Sequence, residues 1–297
     1  MKILLTGKSG QVGYELERSL QGLGEVVALD RSEMDLSSLD RVREVIRTVR
    51  PALIVNPAAY TAVDLAESEP DLAMRINAEA PAVMAEEAGK LGAGVIHYSS
   101  DYVFDGTKAE GYVEDDVPNP QNVYGRSKLA GEQALQASGT PCLILRTSWV
   151  YGMRGKNFLR TVQRLAQERD ELRIVADQFG APTWCRTIAE TTAHIVMRLQ
   201  ALAHSEPGAP IPEEIWQDHA GLYHLTAQGR TSWHGFTQAI VDHPSTARKP
   251  VVVPIATRDY PLPAKRPQNS VLSSDKLRRT FCDLPEWDAA LRLCLDT

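Results

Sequence analysis

The sequence predicts an α/β fold in which helices cover both faces of a doubly wound parallel sheet, with a smaller, less regular lobe attached. Three observations carry this. Apolar, β-branched runs alternate with amphipathic stretches through the first half of the 297 residues. A glycine-spaced turn directly follows the first of those runs, and after Val150 the alternation gives way to Pro-rich breaks.

Taken in order, residues 2–6, 25–29, 53–56, 95–98 and 143–145 are short apolar runs of strand length. Residues 11–23, 39–49, 73–91 and 128–136 separate them with helical periodicity. Strands joined by helix-length crossovers pair in parallel, so these segments build a Rossmann-type sheet. Beyond it, 157–168 and 188–202 are predicted helices, whereas 204–219 is rich in Pro, Glu and Gly and is predicted as an exposed loop. Pro-rich breaks across 244–267 precede a short helical pattern through Trp287, Leu291 and Leu295. The expected division is a dinucleotide-binding domain at 1–150 plus about 183–202, a substrate lobe at about 151–182 plus 221–297, and a loop at 203–220.

Composition narrows the function classes. With 43% hydrophobic and 24% charged residues the chain has the balance of a folded globule, and a formal charge of -6 offers no general attraction to a nucleic-acid polyanion. The apolar stretch Ile3-Leu4-Leu5 is too short for a signal peptide or a membrane span, so a cytoplasmic protein with no membrane partner is expected. Cys142, Cys185, Cys282 and Cys294 have no C-x-x-C spacing and are expected to be reduced core residues.

Gly7-Lys8-Ser9-Gly10-Gln11-Val12-Gly13 lies between a predicted strand and a predicted helix, where bare backbone can approach a pyrophosphate at the helix N-terminus. Asp30, ending the second strand, stands at the spacing of a carboxylate that meets ribose hydroxyls, which favours NAD. Arg31 argues the other way, since a guanidinium binds a 2′-phosphate. Asn56-Pro57-Ala58-Ala59-Tyr60-Thr61 ends the third strand on the crevice side, and the small Ala58 and Ala59 leave room for a cofactor.

Tyr124 and Lys128 are four residues apart, on one face of a helix. Hydride reduction of a ketone leaves an alkoxide that needs a proton; a tyrosine can supply it if a neighbouring cation lowers its proton affinity. At ~4 Å and an effective dielectric of ~20 that attraction is worth at most roughly 4 kcal/mol, enough for a shift of a few units. Ser100, after the fourth strand, can hydrogen-bond the same carbonyl oxygen. Either Ser99 or Ser100 alone would suit a strand-end turn; with Tyr124 and Lys128 downstream, Ser100 completes a Ser/Tyr/Lys set.

Together these segments resemble the extended short-chain dehydrogenases and, within them, the dTDP-4-dehydrorhamnose reductases. The resemblance spans nearly the whole chain, adding Asp35-Leu36, the run Ser100 to Gly106, the run Arg146 to Gly152, Asp177-Gln178-Phe179-Gly180-Ala181-Pro182-Thr183, and Arg266-Pro267-Gln268-Asn269-Ser270. It implies that Ser100, Tyr124 and Lys128 carry a reduction at C4 of a nucleotide-bound deoxysugar, with Asp101, Tyr102 and Trp149 lining the sugar pocket. NADPH is the implied cofactor, NADH is often tolerated, and Gly7, Gly10 to Gly13, Asp30, Arg31, Asp35, Leu36, Ala58, Ala59, Tyr60 and Lys128 would hold it. A homodimer is implied, with Mg²⁺ at the dimer contact in some members; Glu15 and Glu190 correspond to its acids, and Asp296 is the nearest third acid. Two alternatives accompany this reading: a sugar-nucleotide epimerase or dehydratase that retains NAD⁺, and a non-catalytic dinucleotide-binding regulatory subunit, a role some relatives play.

Overall fold

The structure, a computed structural model, describes residues 1–203 and 209–297. Its first half runs β1 (Lys2–Leu5), α1 (Gln11–Ser19), β2 (Glu25–Ala28), α2 (Leu39–Val49), β3 (Leu53–Asn56), α3 (Val63–Ala66), α4 (Pro70–Met74), α5 (Ala80–Leu91), β4 (Gly94–Ser100), α6 (Val123–Ala137) and β5 (Cys142–Thr147). The second half continues β6 (Val150–Tyr151), α7 (Phe158–Glu168), β7 (Glu171–Val175), β8 (Phe179–Gly180), β9 (Thr183–Trp184), α8 (Cys185–Leu202), α9 (Glu213–His219) and β10 (Gly221–His224). It closes with β11 (Thr231–Ser232), α10 (Trp233–Asp242), β12 (Val251–Ile255), α11 (Asp275–Thr280) and α12 (Trp287–Leu295).

Six parallel strands form the central sheet in the order β10-β5-β4-β3-β1-β2. Every residue of β3, β4 and β5 is buried, which is why those strands read as nearly continuous apolar runs. Alternation within β1 divides the core. Ile3 and Leu5 pack with Leu16 of α1 and Ile188 and Ile195 of α8; Leu4 packs on the opposite face with Val42 and Ile46 of α2 and Met84 of α5. The chain leaves β1 toward β2 on one side and continues through β3, β4 and β5 on the other. The order therefore reverses between β1 and β3, opening a crevice at their carboxyl ends.

Four sequence expectations change. The segment expected as one helix over 73–91 is α4, a π-helical stretch at Arg75–Glu79, and α5. The helix expected over 128–136 begins at Val123, because Asn122 caps it by accepting the Gly125 N–H at 2.7 Å. Gly221–His224, assigned from sequence to the lobe, pairs with β5 and extends the central sheet. Of the expected loop, 204–208 lie outside the described residues. Glu213–His219, however, is a helix whose Trp216 is buried against the sheet over Gly94. The apolar Ile215 and Trp216 of this helix, with Ile211 just before it, outweigh the surrounding polar composition.

The lobe has its own core, in which Leu159, Val162, Phe236, Ile240, Leu291 and Leu295 meet from α7, α10 and α12, beside the parallel β7–β12 pair.

Candidate active site

The glycine turn is dictated by contact. Gly7 has φ +61°, and a Cβ on Gly13 would stand 2.1 Å from the Gly7 carbonyl oxygen, so the turn closes on α1 only with bare backbone at Gly13. Gly10 caps α1 without a side-chain hydrogen bond, which leaves the first-turn N–H groups for an anion. A cavity of about 430 Å³ lies over this turn, lined by Gly7, Gly10 to Gly13, Ala58, Ala59, Tyr124 and Lys128 among others. A second, of about 410 Å³, is lined by Arg31, Asp35, Leu36, Tyr60, Leu72 and Ile76 and shares Gly7, Ser9, Ala58, Ala59 and Thr61 with the first. The two form one groove across the carboxyl ends of β1 and β3. Its shape and chemistry suit a dinucleotide: a glycine cradle at the middle, apolar Leu36, Leu72 and Ile76 at one end, and at the other Ser99 Oγ and Thr147 Oγ1, buried without a hydrogen-bond partner in the protein.

At the end of β2 the acid and the arginine separate. Asp30 stands outside the lining of either cavity. Its Oδ1 accepts from the Ser32 hydroxyl at 2.6 Å and the Ser32 N–H at 2.9 Å, which holds the carboxyl below its ordinary range. Arg31 is exposed and lines the groove, 3.6 Å from Asp35.

Ser100 ends β4, and Asp101–Val103 form a 3-10 turn directly after it. The Ser100 hydroxyl donates to Asp101 Oδ1 at 2.9 Å and accepts the Tyr102 N–H at 3.1 Å, close enough to Tyr124 to favour its phenolate. Lys128 is buried and donates to the Tyr98 carbonyl at 2.6 Å, with His97 Nε2 at 3.3 Å. The electrostatics correct the sequence expectation. Loss of solvent pushes Tyr124 up to about 12, and it is Ser100 that pulls it back down; the ammonium group is directed at the Tyr98 carbonyl. Burial lowers Lys128 to about 8.

Asp101 is buried, its Oδ2 lacks a partner in the protein, and burial raises it from 3.8 to about 7. Because the folded value lies above the unfolded one, the stability associated with the neutral acid is complete below about 3.8 and is lost as pH rises toward about 7. Asp101→Asn, which keeps the side chain neutral, is therefore expected to raise Tm relative to the parent above that range and to leave it unchanged below. Thermal unfolding across pH checks this, and equal Tm values throughout would contradict it.

Sequence reasoning missed three residues of the site. Asn77, in the π-helical stretch, accepts from the Tyr60 N–H at 2.8 Å and donates to the Tyr60 carbonyl at 3.0 Å and to Ser127 Oγ at 2.9 Å, fastening the loop after β3 to α6. Helical periodicity cannot reveal it, because the π-turn shifts the register. Trp233 stacks on Trp149 at 3.5 Å and 4°. His97 was read only as part of a strand.

On the lobe side a cavity of about 390 Å³ is lined by Tyr102, Phe158, Arg169, Arg173, Trp233, Tyr260 and Arg266 among others. Tyr102 meets Tyr124 edge-on at 5.6 Å, so the two rings stand where this cavity and the dinucleotide groove approach each other. The segments around Phe179 and Gln268, far apart in sequence, are joined by the Phe179 N–H to the Gln268 carbonyl at 2.9 Å and the Ser270 N–H to the Phe179 carbonyl at 2.8 Å. Trp149 has φ +46° and sits against Gly180, where any Cβ would fall 2.5 Å from the indole; Trp233 covers one of its faces.

The acids expected to bind Mg²⁺ do not gather. Glu15 is paired with Arg186 at 3.3 Å and Asp296 lies 3.4 Å from His243, while Glu190 is exposed on α8. Among the described residues no group of three His, Cys, Asp or Glu side chains is arranged to hold a metal. The residues present do not fit the ion within one chain, since a guanidinium already neutralises Glu15.

No helix among the described residues is long and apolar enough to cross a membrane. The RmlD substrate binding domain family model matches residues 1–297. The chain is 49% identical to a dTDP-4-dehydrorhamnose reductase of Burkholderia thailandensis, over 99% of this chain and 98% of that one, and 44% identical to the Escherichia coli K12 enzyme of the same name, over 100% and 97%. Among solved structures, the Bacillus anthracis dTDP-4-dehydrorhamnose reductase in complex with NADP superimposes with a TM-score of 0.87 at 33% identity, over 100% of this chain and 99% of that one. A glycine-cradled groove, a Ser/Tyr/Lys set at its edge and full-length relatives of one kind lead to one assignment: the chain belongs to the RmlD family of dTDP-4-dehydrorhamnose reductases.

Proposed function

We propose that this protein reduces the C4 ketone of dTDP-4-dehydro-6-deoxy-L-mannose to give dTDP-L-rhamnose, with NADPH as reductant. The observation that supports this most is a full-length match to reductases in a chain that keeps Ser100, Tyr124 and Lys128 beside a dinucleotide-sized groove. The glycine turn, the Ala58–Ala59 segment and Lys128 would hold a nicotinamide cofactor in that groove, which when bound would supply the hydride. The protein's own part is the proton. Tyr124 donates from Oη to the C4 oxygen as charge grows there, and Ser100 hydrogen-bonds that oxygen. A neutral Asp101 can donate to Ser100, leaving the serine proton for the substrate. Tyr102 and the arginines Arg169, Arg173 and Arg266 suit the nucleotide diphosphate, with the apolar Phe158 and Trp233 beside them. The protein acts as a homodimer in this reading, which light scattering after size exclusion reads.

Arg31 favours the 2′-phosphate of NADPH. Arg31→Ala is expected to lower kcat/KM for NADPH about tenfold and to leave NADH nearly unchanged. Equal losses with both cofactors would remove Arg31 from selectivity. Denaturing the purified protein and assaying released dinucleotide tests the reaction class. A reductase exchanges its cofactor and releases little, whereas one NAD⁺ per chain would favour an epimerase or dehydratase.

A further inference from the structure

Beneath the groove a buried chain of side chains crosses three strands of the sheet. Thr6 Oγ1, just after β1, donates to Asn56 Oδ1 on β3 at 2.6 Å; Asn56 Nδ2 stands 3.1 Å from His97 Nδ1 on β4; His97 Nε2 stands 3.3 Å from Lys128 Nζ on α6. Thr6, Asn56, His97 and Lys128 are all buried. The other titratable and charged groups around this pair are Tyr98 on β4, Tyr124 and Glu132 on α6, and Arg146 on β5, which is locked to Glu132 through Nε and Nη2 at 2.8 and 2.6 Å.

Counting donors gives the chain a direction. The threonine hydroxyl donates to the amide oxygen, so the amide N–H₂ faces Nδ1, which must be an acceptor. A neutral imidazole then carries its proton on Nε2, aimed at Lys128. An ammonium has three donors and no lone pair, so it cannot accept that proton; an uncharged amine can. While Lys128 is charged, its ammonium donates to the Tyr98 carbonyl and meets Nε2–H donor to donor, so the bond to His97 forms only when Nζ gives up a proton.

We infer that His97 is a positioning residue for Lys128, an inference that rests on the reductase reading: protonated on Nε2, His97 donates to the uncharged Lys128 amine and stabilises it after Lys128 has returned a proton to Tyr124. The steps balance in protons. The Tyr124 Oη–H bond breaks and the proton joins the C4 oxygen. The phenolate takes a proton from Lys128 Nζ, and the new lone pair on Nζ accepts His97 Nε2–H. Water at the groove then restores the ammonium. His97 itself stays neutral, in keeping with burial and the neighbouring Lys128 charge, which hold it well below an ordinary imidazole.

Nitrogen-15 NMR of histidine-labelled whole protein, with His97 assigned by its loss in His97→Phe, tests this without turnover. At about pH 10, above the Lys128 value of about 8, the Nε2-protonated tautomer is expected; the Nδ1-protonated tautomer or an imidazolium would overturn the inference. In kinetics, His97→Phe is expected to move the Lys128 limb of the kcat pH profile upward by about one unit, and His97→Gln, whose amide can donate to the same amine, to return it. An unmoved limb in a folded His97→Phe would also overturn the inference. If the parent protein consumes no NADPH the reductase reading fails, while the tautomer still decides the role of His97.

Discussion

Tyr124→Phe is expected to lower kcat by about 10²–10⁴-fold while leaving NADPH affinity close to that of the parent. The substitution removes one oxygen from a ring that keeps its edge-on contact with Tyr102, so the site retains its packing and loses its proton donor. The size of the loss follows from how the phenol is held. Loss of solvent pushes its proton affinity up, to about 12, so at neutral pH the phenol is fully protonated and ready to give. Its reluctance to become an anion is offset by Ser100. Rapid-mixing kinetics with separate cofactor titration measures both quantities. A variant with near-parental kcat would assign the proton to another group, and a variant that lost NADPH affinity in proportion would show the ring to be structural.

The second large effect belongs to Gly13. Its Cβ in Gly13→Ala would stand 2.1 Å from the Gly7 oxygen and 2.7 Å from the Gly7 carbonyl carbon, both backbone atoms that cannot swing aside. The glycine turn must open, and with it the cradle between α1 and Ala58. Relieving such a contact costs about 1–3 kcal/mol, so NADPH affinity is expected to fall about 10- to 100-fold, with a lower Tm as well. Fluorescence titration of NADPH and thermal unfolding check the two parts. Unchanged affinity would mean that the turn is not where the pyrophosphate binds.

The sheet was legible because burial on both faces leaves short apolar runs at the starts of β3, β4 and β5, and the glycine turn because contact between Gly7 and Gly13 admits no side chain. Tyr124 and Lys128 were legible as residue types at a spacing that puts both on α6 and in the lining of one groove, with Ser100 at the end of β4. Their electrostatics were not, since the target of the Lys128 ammonium is a backbone carbonyl on β4, which spacing along α6 cannot specify. Asn77 was hidden by a π-turn, and Trp233 by a contact across more than eighty residues of chain with Trp149. The edge strand Gly221–His224 and helix α9 were hidden by the polar composition of residues 204–219, whose few apolar anchors are Ile211, Ile215 and Trp216. Within one chain Glu15 is paired with Arg186, a contact that residue types along the sequence do not specify.

The central claim is net transfer of hydride from NADPH to C4 of the sugar nucleotide. Its most direct test follows NADPH absorbance with enzymatically generated dTDP-4-dehydro-6-deoxy-L-mannose and identifies the product by chromatography against authentic dTDP-L-rhamnose. One NADPH consumed per dTDP-L-rhamnose formed is the predicted result. No NADPH consumption, with the ketosugar left unchanged or isomerised, would contradict it.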